Sequence, residues 1–249
     1  MHDERRHLPK LIGWCLLIAL WACTSSLWPS WPSPQAVARQ LWADAYDATF
    51  LTALGGSLRR MIIGYVLVVI LGIGGGLVLG RFRALDELVG SLAVALHAIP
   101  GAAWVPFAVL WFGMTERAVI FTILLGATGI VIVQTDTGIR QVPPLIVHAA
   151  RTMGARGVKF FWYVVVPAAV PKMVDGLRLA WAFGWRALMA GELITSVHGL
   201  GRLLNDVAKA GRIDQLVAMM VVIALVGIIV DELVFKRMET IVHRRWGIA

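Results

Sequence analysis

Long uninterrupted apolar runs constrain this chain more than any other feature. Six can be read, at roughly 11–28, 61–80, 88–112, 118–135, 174–197 and 215–235. Each approaches the ~20 residues with which an α-helix crosses the hydrocarbon core of a bilayer. A backbone in lipid must satisfy its own hydrogen bonds, which leaves helices or closed barrels. These runs are continuous rather than alternating, so they predict an all-α membrane protein of about six spans. Composition agrees: 59% of the residues are hydrophobic and 15% are charged, against about 25% charged in a soluble domain.

The net charge of +8 is spread between the apolar runs. Nucleic-acid binding needs basic residues gathered on a solvated face, so the pattern excludes it and points to membrane orientation instead. With the N-terminus inside, fourteen Lys and Arg fall on the inner side, among them Arg81, Arg140, Arg151, Arg156 and Lys159. Seven fall outside, including Arg59 and Arg60, and Arg178 and Arg186 lie within the fifth run. The excess predicts that both termini are cytoplasmic. The leader "MHDERRHLPK" and the first run also resemble a secretory signal, but the run is long for a signal core, so a retained first span is expected. "WPSWPSP" reads as an interfacial loop before a short amphipathic helix. Cys15 and Cys23, about 12 Å of helical rise apart, are too distant for a disulfide and are expected to pack. Gly72, Gly76 and Gly80 form a ridge for close helix approach, either within the subunit or between subunits.

Several chemistries are missing. "GIGGGLVLGRF" lacks the lysine of a phosphate loop, and no G-x-S-x-G elbow occurs. The histidines at 2, 7, 97, 148, 198 and 243 never pair at ligand spacing, so neither a metal site nor a catalytic residue is expected. An enzyme embedded in the membrane would have to draw on His97, Arg186 and Glu192. An ATP-independent channel is the other alternative.

The stretch "HAARTMGARGVKFFWYVVVP" (148–167) stands apart as the longest inner loop. Pro143 and Pro144 suit the first turn of a helix, expected over residues 145–156 and lying across the membrane axis. Ala149 and Ala150 keep its surface low, Gly154 and Gly157 allow a sharp reversal, and "FFWY" belongs at the interface. The pattern resembles the cytoplasmic loop of bacterial ABC importer permeases: E-A-A, three residues, Gly, nine residues, then I-x-L-P. Ala149, Ala150, Gly154, Val164, Val166 and Pro167 fall in register, and His148 replaces the leading Glu. "IPGAAWVPFAVLWFGMTE", "VPAAVPKMVDGLRLAWAFGW" and "AGELITSVHGLGRLL" are similar to the third span, the helix after the loop, and the fifth-span ending of nitrate, sulfonate and taurine importer permeases.

That resemblance implies a type I, MetI-like permease fold with a coupling helix at about 145–160. It implies that His148, Ala149, Ala150, Arg151, Gly154, Ala155 and Pro167 engage an ATPase. Two separate ATPase subunits would bind ATP and Mg, so this chain holds no cofactor. A periplasmic or lipid-anchored binding protein would deliver substrate, and a second permease copy would complete the pathway in the bacterial inner membrane. The cargo would be a small solute, an anion such as an aliphatic sulfonate, taurine or nitrate. Three segments follow: residues 1–55 with the first span and an external loop, 56–240 as the permease core, and 241–249 as a cytoplasmic tail.

Ionisable groups within spans are costly and face a cavity or a partner. His97, Pro100, Trp185, Arg186 and Glu192 are therefore the candidate pathway residues. His97 either bonds within the bundle or lines the route, and Pro100 and Pro106 kink its helix. Glu192 matches the family's fifth-span glutamate. Arg186, six residues earlier, faces another side, as an ion-pair member or as a positive charge for a passing anion. Asp175 and Arg178 are expected to pair along one helix, and Asp231 and Glu232 to meet basic residues.

Overall fold

The runs at 61–80, 118–135 and 215–235 become helices that outlast them at both ends. The structure, a computed structural model, describes residues 4–28, 31–82, 94–95 and 98–247. His97 lies outside the described residues. Helix α1 spans Glu4–Leu27. Helix α2, Pro34–Asp44, starts as its sequence directs: Ser33 caps it by accepting from the amide of Ala36 at 3.2 Å, with Pro34 in the first turn. Helix α3 is Ala48–Arg81. After a 3₁₀ turn at Gly101–Trp104 come α4 (Val105–Phe112) and α5 (Glu116–Arg140). The loop helix α6 is Pro144–Thr152, followed by α7 (Gly157–Thr195), α8 (Leu200–Lys209) and α9 (Ile213–Trp246). No strand occurs among the described residues.

Among the described residues, α3, α5, α7 and α9 are long and apolar enough to cross a membrane, while the first and third runs contribute the shorter pieces Cys15–Leu27 and Gly101–Phe112. The third run is interrupted where Pro100 and Pro106 remove backbone donors, and the chain takes a 3₁₀ turn between them. The expected boundary between residues 55 and 56 falls inside α3, and that between 240 and 241 inside α9. Helical periodicity continues past the apolar composition at both places.

Helix α5 sits between α3 and α7 at the centre of the bundle, and small residues set the spacing. The α3 ridge packs within this chain: a Cβ on Gly72 would stand 2.5 Å from a Val131 carbon, and Gly80 lies as close to Ile139. On the other face of α5, Gly126 meets Ala187 of α7. Without a water-driven term between helices in lipid, such close backbone approach supplies the packing energy. Helix α9 closes the bundle through rings. Tyr65 of α3 packs edge-on against Trp181 of α7 and Phe235 of α9, and its hydroxyl donates to the Leu177 carbonyl at 2.8 Å. Helix α1 lies apart: Leu16, Leu17, Ile18 and Leu20 are exposed, as are Cys15 and Cys23, which were expected to pack.

Candidate functional site

The loop after α5 is shaped by its prolines and glycines. Pro143 precedes the first residue of α6 and Pro144 occupies it. The helix ends with amides turned back on its last carbonyls: Met153 to Ala149 at 3.1 Å, Gly154 to Arg151 at 3.0 Å and Ala155 to Ala150 at 3.0 Å. Gly154 has φ +85° and Gly157 φ +61°, with open space where a Cβ would stand. The glycines are needed there for backbone conformation, not for lack of room. The α6 segment presents His148, Ala149 and Arg151 to solvent, with Ala150 and Ala155 half-buried. Leu145 and Met153 are 81% and 87% exposed. Pro167 lies about three turns into α7, two residues after a π-turn at Phe161–Val165. A proline cannot donate to the carbonyl four residues back, and its ring displaces that carbonyl, which accounts for the widened turn. Its own carbonyl accepts from the Trp246 indole at 2.9 Å, so the motif's last residue is tied to the C-terminal helix.

A cavity of about 730 Å³ opens between α7 and α9. Trp181 and Trp185 stack along its wall with centroids 6.1 Å apart, and the Trp185 indole donates to the Ile223 carbonyl at 3.1 Å. Arg186 also lines it, solvent-exposed, with its guanidinium carbon 5.5 Å from the Phe183 ring centroid. It has no carboxylate partner among the described residues. The 3₁₀ turn after Pro100 packs on the same part of α7, with Gly101 against Ala187.

Glu192 stands away from that cavity, fully buried, in a network the sequence did not reveal. It pairs with Arg60 of α3, whose Nη2 and Nε lie 2.7 and 3.0 Å from Oε1. The Ser57 hydroxyl reaches both carboxylate oxygens at 2.8 Å, and the Gly201 amide donates to Oε2 at 2.9 Å. Arg60 also reaches Glu116 at 2.9 Å and the His198 carbonyl at 2.7 Å, while Ser57 accepts from the Leu200 amide. α3, α5, α7 and α8 are thereby bound together. Arg186 takes no part in this network. One expectation is corrected on α7. Arg178 does not pair with Asp175; its fork reaches across to α9, meeting Asp231 at 2.8 and 2.7 Å and Glu239 at 2.5 Å. Two parallel bonds to a facing carboxylate outweigh one contact along a helix. Asp175 instead faces Lys172 and His243, at 4.0 and 3.8 Å, and Glu232 meets Lys236 at 2.6 Å.

Residues 69–247 match the family model described as the binding-protein-dependent transport system inner membrane component. The chain belongs to this family. It is an ABC importer permease subunit, a multi-pass membrane protein and not an enzyme. A putative ABC transporter permease protein of Methanocaldococcus jannaschii is 35% identical over 176 residues, 70% of this chain and 66% of that one. The taurine transport system permease protein TauC of Escherichia coli is 29% identical over 205 residues, 80% of this chain and 74% of that one. The nitrate import permease protein NrtB of Leptolyngbya laminosa is 27% identical over 239 residues, 92% and 86% of the two chains. The fold resembles that of a chain from the MetNI methionine ABC transporter, with TM-score 0.65 at 16% identity, covering 78% of this chain and 96% of that one.

The matched segment of the permease contains the α6 loop, the cavity and Glu192, but it starts after Arg60. Read as beginning at residue 61, the second span leaves Arg60 in an external loop. In the structure α3 begins at Ala48, and Ala53, Ser57, Arg60, Gly64 and Val68 fall on its buried face. That spacing of three and four was the signal available in the sequence.

Proposed function

We propose that this permease carries a small anion, such as an aliphatic sulfonate, taurine or nitrate, handed over by an extracytoplasmic binding protein. Arg186 is the observation that carries the reading. A guanidinium in a span costs about 2.5–3.5 kcal/mol on insertion scales, and here it lines an open cavity whose two carboxylates, Asp231 and Glu232, are paired with Arg178 and Lys236 instead. A passing anion offsets that cost. Two of the relatives carry taurine and nitrate in their names, which supports the same class of cargo. Arg186→Ala should lower uptake of an anionic substrate about tenfold or more, as expected for loss of a hydrogen-bonded charge worth about 1.5–3 kcal/mol, while the permease still assembles. Lysine should restore part of it, since it keeps the charge without the planar fork. Normal uptake by Arg186→Ala would remove the support for an anion.

In this reading two ATPase subunits dock on α6 and the turn after it, through His148, Ala149, Ala150, Arg151, Gly154 and Ala155, and Pro167 anchors the connection to α7. Two permease copies enclose the pathway, which includes His97 and Pro100. Both termini are cytoplasmic, as the bias of Lys and Arg toward one side supports. A reporter active only outside the cytoplasm and fused at Ala249 should stay silent.

A further inference from the structure

Three arginines converge where two spans and the loop helix end. Arg81 closes α3, Arg140 closes α5, and Arg151 comes from the last turn of α6. They share the wall of a cavity of about 420 Å³ with Gly157, Phe160 and Phe161 at the start of α7. A neighbouring cavity of about 360 Å³ shares Arg151, Gly157 and Phe160 and adds Arg156. The guanidinium carbon of Arg81 lies 5.8 Å from the Phe161 ring centroid, and that of Arg151 lies 5.7 Å from Phe160. Stacking on a ring holds a guanidinium while its N–H edge stays available. Arg140 is engaged by Asp136 at 2.8 Å. Arg81 and Arg151 have no carboxylate partner among the described residues, so the balance of the described charges on the pocket wall is positive.

We propose that this pocket binds the phosphodiester of an anionic phospholipid headgroup. Guanidinium forks match phosphate oxygens bidentately. Basic pockets between spans at the cytoplasmic surface take acidic headgroups for this reason. The rest of the wall, including Ile139, Val142 and Val165, is apolar and suits the glycerol and upper acyl region. Trp162 and Tyr163, 53% and 80% exposed, stand beside it as interfacial aromatics do. A zwitterionic headgroup brings its own ammonium into the same positive field, so selection should favour lipids with net negative charge. The inner-leaflet placement rests on the orientation proposed above; binding of the headgroup does not depend on it or on the cargo, and Arg151 is shared with the surface proposed for the ATPase.

The test uses the full-length permease without its ATPase subunits, taken from nanodiscs of an equal mixture of phosphatidylcholine and phosphatidylglycerol, with retained lipids counted by native mass spectrometry. The wild-type protein should retain phosphatidylglycerol over phosphatidylcholine. Arg81→Gln with Arg151→Gln should lower that retention roughly tenfold or more, at about 1 kcal/mol for each basic residue near the surface. Arg237→Gln, an exposed charge elsewhere on α9, should leave it unchanged. Arg81→Lys with Arg151→Lys, which keeps the charge, should give an intermediate value because the forks are gone. Retention by the glutamine pair equal to wild type overturns the site, as does a lysine pair as poor as the glutamine pair. Displacement of the lipid by inorganic phosphate alone would make the occupant a free anion and overturn the lipid assignment.

Discussion

At its Thr195 end α7 carries a carboxylate with no solvent exposure; at its Gly157 end it meets a turn of two left-handed glycines and rings open to solvent. The buried end saturates its polar groups. Glu192 takes bonds from Arg60, Ser57 and Gly201, and Arg60 is 1% exposed. The other end leaves Leu145 and Met153 uncovered and collects Arg81 and Arg151, which have no carboxylate partner among the described residues. One end of the helix is closed within the chain, and the other is finished for contacts outside it. A buried ion pair tolerates little movement, because separating it leaves a charge in a low-dielectric interior. An exposed helix held by glycine turns can be carried by a partner at small cost. That asymmetry suits the proposed docking of an ATPase at the α6 face of the permease.

The comparison breaks most readily at the closed end. Glu192→Gln leaves Arg60 facing an uncharged amide, with only Glu116 as counter-charge. It should cost about 3–5 kcal/mol, read as a lowered thermal unfolding midpoint of the detergent-purified permease. Arg60→Met with Glu192→Leu should recover part of the loss, since the network is then removed as a unit. An unchanged midpoint for Glu192→Gln would mean that this end is not the fixed one.

A smaller effect on stability, with a larger one on function, is expected at Gly154. Valine at φ +85° costs about 1–2 kcal/mol of backbone strain, in a loop with open space around it. Membrane insertion should persist, while uptake and the stimulation of ATP hydrolysis by binding protein fall away. Unaltered transport would show that the turn needs no glycine and that α6 does not transmit force.

The smallest shift in stability should come from Leu145→Ser with Met153→Ser. Exposed positions away from packing change stability within about 0.5 kcal/mol, so the unfolding midpoint should stay put. Recovery of ATPase subunits on copurification should drop if these side chains lie in the docking surface. A lowered midpoint with full ATPase recovery would reverse the contrast between the two ends.

Much of this was legible in the residues. The apolar runs dictated helices because an unpaired backbone cannot persist in lipid. The register from Ala149 to Gly154 placed the loop helix and its terminating turn, since proline and glycine act on the backbone locally, whatever surrounds them; the helix expected to reach residue 156 stops at Thr152, and the tie of Pro167 to Trp246 was not legible. The glycine ridge on α3 announced close approach but not to whom, and only packing assigned it to Val131 and Ile139 of α5. Arg60 and Glu192 lie 132 positions apart; periodicity says which face each occupies, while the helix facing it is a matter of the bundle. Arg178 chose Asp231 over the nearer Asp175 for the same reason. Local chemistry is written in order along the chain, whereas the partner of a buried charge is decided by which helices come together and at what height.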